Sequence, residues 1–193
     1  MTKMPAEPKR RAQLVEATIS EIGANGTLNI TVSQIAKRAG VSSALAFHYF
    51  GDKEQIFLAA MRYILTLYGA EVRGALAVAD GPRQRLESLV RASFSPSNFR
   101  RDAIAAWLNF YVLAQTSPEA RRLLSIYQRR LQSNLVHNLR PLAGDDAAGV
   151  AQRIGGLIDG LYLRFALDTE ATDGASAAAH VLHAIDREIG HSN

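Results

Sequence analysis

At 193 residues, with 48% hydrophobic and 21% charged side chains, the chain has the composition of a globular protein and fits neither disorder nor a fibrous repeat. A formal charge of +4 and a pI near 9.6 allow a polyanionic partner without requiring one. Lack of cysteine excludes disulfides, thiolate zinc sites and a cysteine nucleophile, and no apolar run approaches the roughly 18 residues of a membrane span.

Apolar residues recur near every 3.6 positions with no convincing alternation, which predicts an all-α fold. The opening MTKMPAEPKRR has charge but no apolar run behind it, so no signal peptide and a cytoplasmic location are expected. Pro5 and Pro8 predict a loose tail, with the first helix starting near Lys9. Leu14, Val15, Thr18 and Ile22 give that helix a buried stripe, and Gly23 and Gly26 are expected to end it. Thr31 with Gln34 has capping-box spacing, predicting a short helix from about Val32 to Ala39 that Gly40 breaks. Ser42 can cap the next helix, through about Phe50, and Asp52 with Gln55 makes a second capping-box pair. Residues 1–52 are therefore expected to form a three-helix unit, with a helix-turn-helix at about 31–50, and residues 53–193 a larger helical domain.

From Lys53 to about Ala79 a long helix carries Phe57, Met61, Ile64, Tyr68 and Val72 on one face. Gly81-Pro82 stops it and starts the next, to about Ala92, and Ser93 to Asn98 (SFSPSN) reads as a loop. Further helices are expected at about 100–115, 118–139, 146–168 and 174–189. Ser117-Pro118 supplies an N-cap and a first-turn proline, and Pro141 to Gly144 a break.

The informative stretch is TVSQIAKRAGVSSALAFHYF, Thr31 to Phe50. A helix that reads DNA must enter a groove about 12 Å wide while a second helix holds it at a fixed angle. Ile35 and Ala36 lie on the inner side of the first helix, Gly40 suits the tight corner, and Val41, Ala46 and Phe50 can anchor the second. That leaves Ser43, Ala44, Leu45, Phe47 and His48 outward, where DNA sugars and thymine methyls could cover the apolar Phe47. The pattern IA-x-x-AGVS-x-x-x-x-x-HYF-x-x-KE resembles the TetR family signature. The resemblance implies a third helix in the major groove, with base contacts from Ser43, Ala44 and Leu45 and with Phe47 and His48 nearby. Tyr49 and Lys53 fall where that family meets phosphates, and Thr31, Ser33 and Ser42 complete the expected DNA-facing set. Lys9, Arg10 and Arg11 are cations at a helix N-terminus, which the macrodipole disfavours. They read either as a phosphate or minor-groove contact or as a solvated helix start.

In the larger domain, Val150, Ile154, Leu157, Ile158, Leu161 and Phe165 form an apolar stripe beside the small residues Gly149, Gly156 and Gly160 and beside Leu163. Val181, Leu182, Ile185 and Ile189 give the last helix a matching stripe. These stripes serve either a homodimer seam, with Gly156, Gly160, Leu161, Val181 and Ile185 in it, or packing within one chain. A four-helix seam is what the TetR resemblance implies. Trp107, Phe110, Tyr111, Tyr127, Tyr162 and Phe165 are either plain core or a cage whose ring faces enclose a quaternary ammonium ion. WLNFY at 107–111, RRLQSNL at 129–135 and LIDGLYLR at 157–164 resemble the BetI subgroup. That resemblance implies a ligand-responsive repressor of choline-uptake and glycine betaine genes, reading palindromic operator DNA as a dimer with choline as inducer. Another lipophilic cation or drug is the alternative effector, and a helical small-molecule-binding protein without DNA the alternative class. Tyr111 and Tyr162 stand where the subgroup often has tryptophan. Asp159 could balance a cation or pair with Arg153 or Arg164. His180, His183 and Asp186 have the spacing of a metal trio but read as a surface face near the seam. No metal, other cofactor or catalytic constellation is expected.

Overall fold

The computed structural model describes residues 6–167 and 173–190, so the expected tail residue Pro5 and the helix end at Asp168 lie outside the described residues. Among the described residues the elements are α1 (Ala6–Asn25), α2 (Val32–Arg38), α3 (Ser43–Phe50), α4 (Lys53–Ala77) and α5 (Gly81–Ser93). They continue with α6 (Arg101–Thr116), α7 (Pro118–Ala143), a 3₁₀ turn (Gly144–Asp146), α8 (Ala147–Leu167) and α9 (Gly174–Gly190). The expected all-α class is what is found. Contacts group the chain into two compact units. One takes in residues up to Ile64 with Arg101–Arg121, and the other Leu65–Arg100 with residues from Arg122 onward. α4 contributes to both.

In the first unit Leu14, Ile19, Ile30, Ile35, Ile56, Leu58 and Ile104 are sealed from solvent, so α1, α2, the start of α4 and α6 share one core. Two boundaries of α1 depart from expectation. Pro8 falls within its first turn, where a missing N–H has no intrahelical partner to lose, so the helix starts at Ala6 and not near Lys9. Gly23 lies inside the helix: a Cβ there would come within 2.3 Å of Asp102 Cβ, so the bare backbone lets α6 approach. The stop is Gly26 alone, at φ 66°, whose N–H bonds the Ile22 carbonyl at 2.8 Å. Its own carbonyl accepts from Asn109 Nδ2 on α6 at 3.2 Å.

The corner between α2 and α3 follows local chemistry closely. Thr31 Oγ1 accepts from the Gln34 N–H at 3.2 Å, and Gln34 Oε1 accepts from the Thr31 N–H at 2.7 Å, completing the capping box. At the other end Gly40, at φ 68°, donates to the Lys37 carbonyl, and Val41 to the Ala36 carbonyl at 3.0 Å. Those two bonds make a Schellman stop, which requires the left-handed residue that glycine supplies. An Arg38–Glu21 ion pair at 2.5 Å ties α2 to α1. Asp52 caps α4 through the Gln55 N–H at 2.8 Å, but the Gln55 side chain turns to Glu119 Oε2 at 3.0 Å. Glu119 also pairs with Arg62, and Ser117, the N-cap of α7, donates to Glu54 Oε1 at 2.6 Å. The start of α4 is thus fastened by polar bonds to the α6–α7 corner.

The second unit has its own core, in which Leu86, Leu89, Val90, Leu135, Leu139, Val150, Ile158, Val181 and Ile185 are fully buried. The buried Asn138 is satisfied by Arg85 Nε, which donates to its Oδ1 at 3.0 Å. Pro141 does not break α7; it sits in the last turn, and Gly144, at φ 55°, ends the helix. Arg153 joins three elements by bonding Glu188 of α9 at 2.7 Å and Asp146 of the 3₁₀ turn at 2.9 Å.

Candidate functional site

α3 presents the side chains expected to meet DNA. Ala46 is fully buried and anchors the helix, while Ala44, Phe47 and His48 are exposed and Ser43, Leu45 and Tyr49 half-buried. Phe47 keeps 47% of its surface in solvent, an unfavourable position for a phenyl ring unless a partner covers it. Ser42 caps α3 by accepting the Leu45 N–H at 3.2 Å. Ser43 and the exposed Ser33 of α2 meet hydroxyl to hydroxyl at 3.2 Å, so two residues of the expected set are already adjacent.

The basic N-terminal cluster divides. The Arg11 guanidinium lies over Phe50 at 4.8 Å and Tyr49 at 5.7 Å, with Glu7 at 3.8 Å, so it braces the start of α1 against the end of α3. Lys9 and Arg10 are exposed on the same turn. Lys53, at the first turn of α4, holds its ammonium 5.4 Å from the Phe57 ring. Arg11 and Lys53 therefore border α3 with positive charge, while α3 itself carries no Lys, Arg, Asp or Glu.

The six expected ligand residues fall in two sets. Trp107, Phe110 and Tyr111 lie along α6 in the first unit, with Trp107 6.2 Å from each of the other two rings. Tyr127, Tyr162 and Phe165 lie in the second unit, where they join residues that spacing did not single out. Tyr162 meets Phe94 at 5.5 Å and Phe99 at 5.1 Å, and Phe99 meets Phe165 at 5.4 Å. Tyr127 packs edge-on against Tyr68 at 5.7 Å. Ser93 joins the two halves: its carbonyl accepts from the Tyr162 hydroxyl, and its own hydroxyl lies 3.2 Å from that of Tyr68. The first residue of α9, Gly174, sits so close that a Cβ would fall 2.2 Å from the Phe94 carbonyl oxygen.

Two carboxylates act on this aromatic group. Burial pushes the Tyr68 phenol above its ordinary range; the Ser93 bond opposes that, and the Asp159 and Glu71 carboxylates add to the rise. Glu71 Oε2 accepts from Ser97 Oγ and from Asn98 Nδ2, each at 2.7 Å, which fixes the carboxylate to the 93–100 turn. Arg153, one of the partners expected for Asp159, is engaged by Glu188 and Asp146. Sequence reasoning took SFSPSN as a bare loop. The signal it passed over was the pair of phenylalanines, Phe94 and Phe99, flanking a buried asparagine.

The five residues expected at a partner seam also separate. Leu161, Val181 and Ile185 are buried inside the second unit, where α9 packs on α5 and α8, and a partner cannot bury them further. Val150, Ile154, Ile158, Leu161, Val181 and Ile185 thus serve the protomer's own core, while Leu157, Phe165, Leu182 and Ile189 of the same stripes stay half-buried. Gly156 and Gly160 stay open, with nothing within 4 Å of a Cβ built on either, and Leu163 one turn on is 51% exposed. His180, His183 and Asp186 are exposed on α9, and Asp186 pairs with Arg83 at 2.5 Å. No group of three potential metal ligands occurs among the described residues, and no described helix is long and apolar enough to cross a membrane.

Two family profiles match the chain. One, described as bacterial regulatory proteins of the tetR family, covers residues 14–60, and the other, BetI-type transcriptional repressor, C-terminal, covers residues 82–190. The HTH-type transcriptional regulator BetI of Brucella anthropi is 48% identical over 94% of this chain and 94% of its own. Its namesake in Agrobacterium fabrum is 47% identical over 98% and 92%. Among solved structures, a transcriptional regulator from Pseudomonas aeruginosa superposes with a TM-score of 0.82 at 26% identity, covering 97% of this chain and 93% of that one. A regulator from Saccharomonospora viridis, solved in complex with choline, gives 0.82 at 24% identity over 91% and 95%.

Proposed function

The chain belongs to the tetR family of bacterial regulatory proteins, with a BetI-type repressor C-terminal domain, and on that footing we propose that it represses choline-uptake and glycine betaine genes until choline binds. In this reading residues 1–52 hold operator DNA through α3 and its Tyr49, Lys53 at the start of α4 adds a phosphate contact, and the rest of residues 53–193 senses the effector and dimerises. The observation that carries the choline reading is the hydrogen-bonded aromatic group of Tyr68, Tyr127, Tyr162, Phe94 and Phe99 with Glu71 and Asp159 beside it. A quaternary ammonium head has no N–H to donate, so ring faces and nearby carboxylates are the chemistry that selects it. The choline complex of the Saccharomonospora viridis regulator supports the same choice.

Response follows from ring spacing. Phe94, Phe99 and Tyr162 are already in contact at 5.1–5.5 Å, so a trimethylammonium head enters only by spreading them. Choline then prefers the spread arrangement over the closed one, and that difference in affinity is what shifts a two-state equilibrium. Tyr68 and Glu71 lie on α4, the helix that begins at Lys53, so the same element carries an effector contact and a DNA contact.

The experiment uses an operator selected from random duplexes by the wild-type protein. Choline at micromolar to millimolar concentration should release it. Tyr162→Leu should raise the choline needed by about tenfold, corresponding to roughly 1.4 kcal/mol of cation–π attraction, while Tyr162→Phe should keep the response. An operator still bound at tens of millimolar choline, but released by a bulkier lipophilic cation, would assign the effector to that class and leave the repressor assignment intact.

Dimerisation we assign to the open face of α8 at Gly156, Gly160 and Leu163, where absent side chains allow a partner helix to approach. Because nothing crowds Gly160 within the protomer, Gly160→Leu should fold and sediment as a monomer at concentrations where the wild type is a dimer. Unchanged dimer mass would move the seam to another face.

A further inference from the structure

We propose that the outer face of α7 is a second binding surface for duplex DNA, a phosphate-backbone contact separate from the helix-turn-helix and independent of the effector reading. After Glu119, α7 carries no carboxylate, yet it bears Arg122, Arg129, Arg130, His137 and Arg140, all exposed. At 100° per residue these five fall within an arc of about 100°, and Arg122 to Arg140 spans about 27 Å along the axis.

These arginines differ from those that fasten one element to another. Arg38, Arg62, Arg83 and Arg153 each lie within 4.0 Å of a carboxylate of another element or of a distant residue. Among the described residues, Arg122, Arg130 and Arg140 have no carboxylate or hydrogen-bond acceptor in reach, and Arg129 Nε bonds only the Ser125 carbonyl of its own helix at 3.2 Å. Like charges lined along one helix face repel one another, so the row is disfavoured until a polyanion neutralises it. All the fixed cations of the row are guanidiniums, whose planar fork suits phosphate oxygens.

The neutral residues of the row decide the class of partner. The exposed large hydrophobics of the described chain are Phe47, Leu67, Val78, Val112 and Leu163, none of them on α7. A membrane-surface helix would bury apolar side chains beside its cations, and a protein interface would centre on an apolar anchor. Ser133, exposed within the same arc, instead donates and accepts hydrogen bonds as backbone contacts to DNA do. The surface therefore fits a sequence-independent hold on duplex, either beyond the operator or on a second segment.

The test starts from full-length protein carrying Tyr49→Ala and Lys53→Ala, which removes contacts of the reading head, and measures binding to a duplex lacking the operator as salt is raised. Residual binding should persist at low salt. Adding Arg122→Gln, Arg129→Gln and Arg140→Gln should weaken it by on the order of tenfold or more and lower the log–log salt slope by about 0.9 for each lost phosphate contact. The matching Arg→Lys triple should retain most of the slope, and a circular dichroism melt should show all variants folded, since these side chains are exposed. Equal affinity and slope with and without the three arginines would overturn the proposal. So would loss of binding to phosphatidylserine vesicles with duplex binding unchanged, which would assign the face to a membrane.

Discussion

Alanine at both Tyr49 and Lys53 is expected to abolish the operator gel shift at concentrations where the wild type is saturated. Tyr49 is half-buried, with Arg11 over its ring at 5.7 Å and His48 beside it at 5.6 Å, so its hydroxyl is aimed by a braced ring at the end of α3. Lys53 follows Gly51 and Asp52 and is half-buried, with its ammonium 5.4 Å from the Phe57 ring centre, which sets where that charge stands at the start of α4. A hydrogen bond to a charged group is worth about 1.5–3 kcal/mol, so losing two costs roughly two to four orders of magnitude in affinity. Removing the lysine charge should also lower the log–log salt slope by about 0.9. A double variant with wild-type affinity and slope would mean that DNA is held elsewhere.

One substitution at two helical glycines should give opposite signs of stability. Gly23→Ala puts a methyl group 2.3 Å from Asp102 Cβ and 2.7 Å from its Cα, and neither α1 nor α6 can yield without disturbing the core around Leu14 and Ile104. Overpacking of this kind costs about 1–3 kcal/mol, or roughly 2–12 °C in Tm for a chain of this size. Gly74→Ala, in α4, meets nothing within 4 Å and should instead stabilise by about 0.5–1 kcal/mol through helix propensity. Thermal melts of both variants check the pair. A Gly23→Ala protein melting with or above the wild type would show that the α1–α6 approach is not tight.

What was legible in the sequence was chemistry that acts within a few residues. Thr31 and Gln34 close on each other's backbone, Gly40 supplies a left-handed corner and Ser117-Pro118 opens α7, each without help from distant chain. Gly23 misled because its role depends on Asp102, and a glycine reads alike as a helix stop or as a close approach until its neighbour is known. The same limit applied to Leu161, Val181 and Ile185. Helical periodicity says that a face is covered but not whether the cover comes from the same chain, and here it does. In the aromatic group of the second unit Tyr162 and Phe165 stand out from their helix alone, whereas Phe94, Phe99 and Glu71 join it only where the chain after α5 meets α4 and α8. Gln55 shows the reverse case: it has the spacing of a capping partner, but Glu119 offered its amide a charged acceptor.

The lack of formal charge on α3 has a kinetic consequence. In the proposed interface the attraction that brings the protein to DNA and lets it slide comes from Lys9, Arg10 and Lys53 on the borders, and phosphates look alike in every sequence. The helix inspecting the bases brings a serine whose hydroxyl already rests on Ser33, two small or apolar residues and the open Phe47 ring. At a wrong site that surface gains little and loses little, so it adds no drag to the search. At the right site the serine exchanges one hydroxyl partner for a base edge and Phe47 leaves water. Speed of search and choice of site therefore reside in different side chains, and either can drift without dragging the other along.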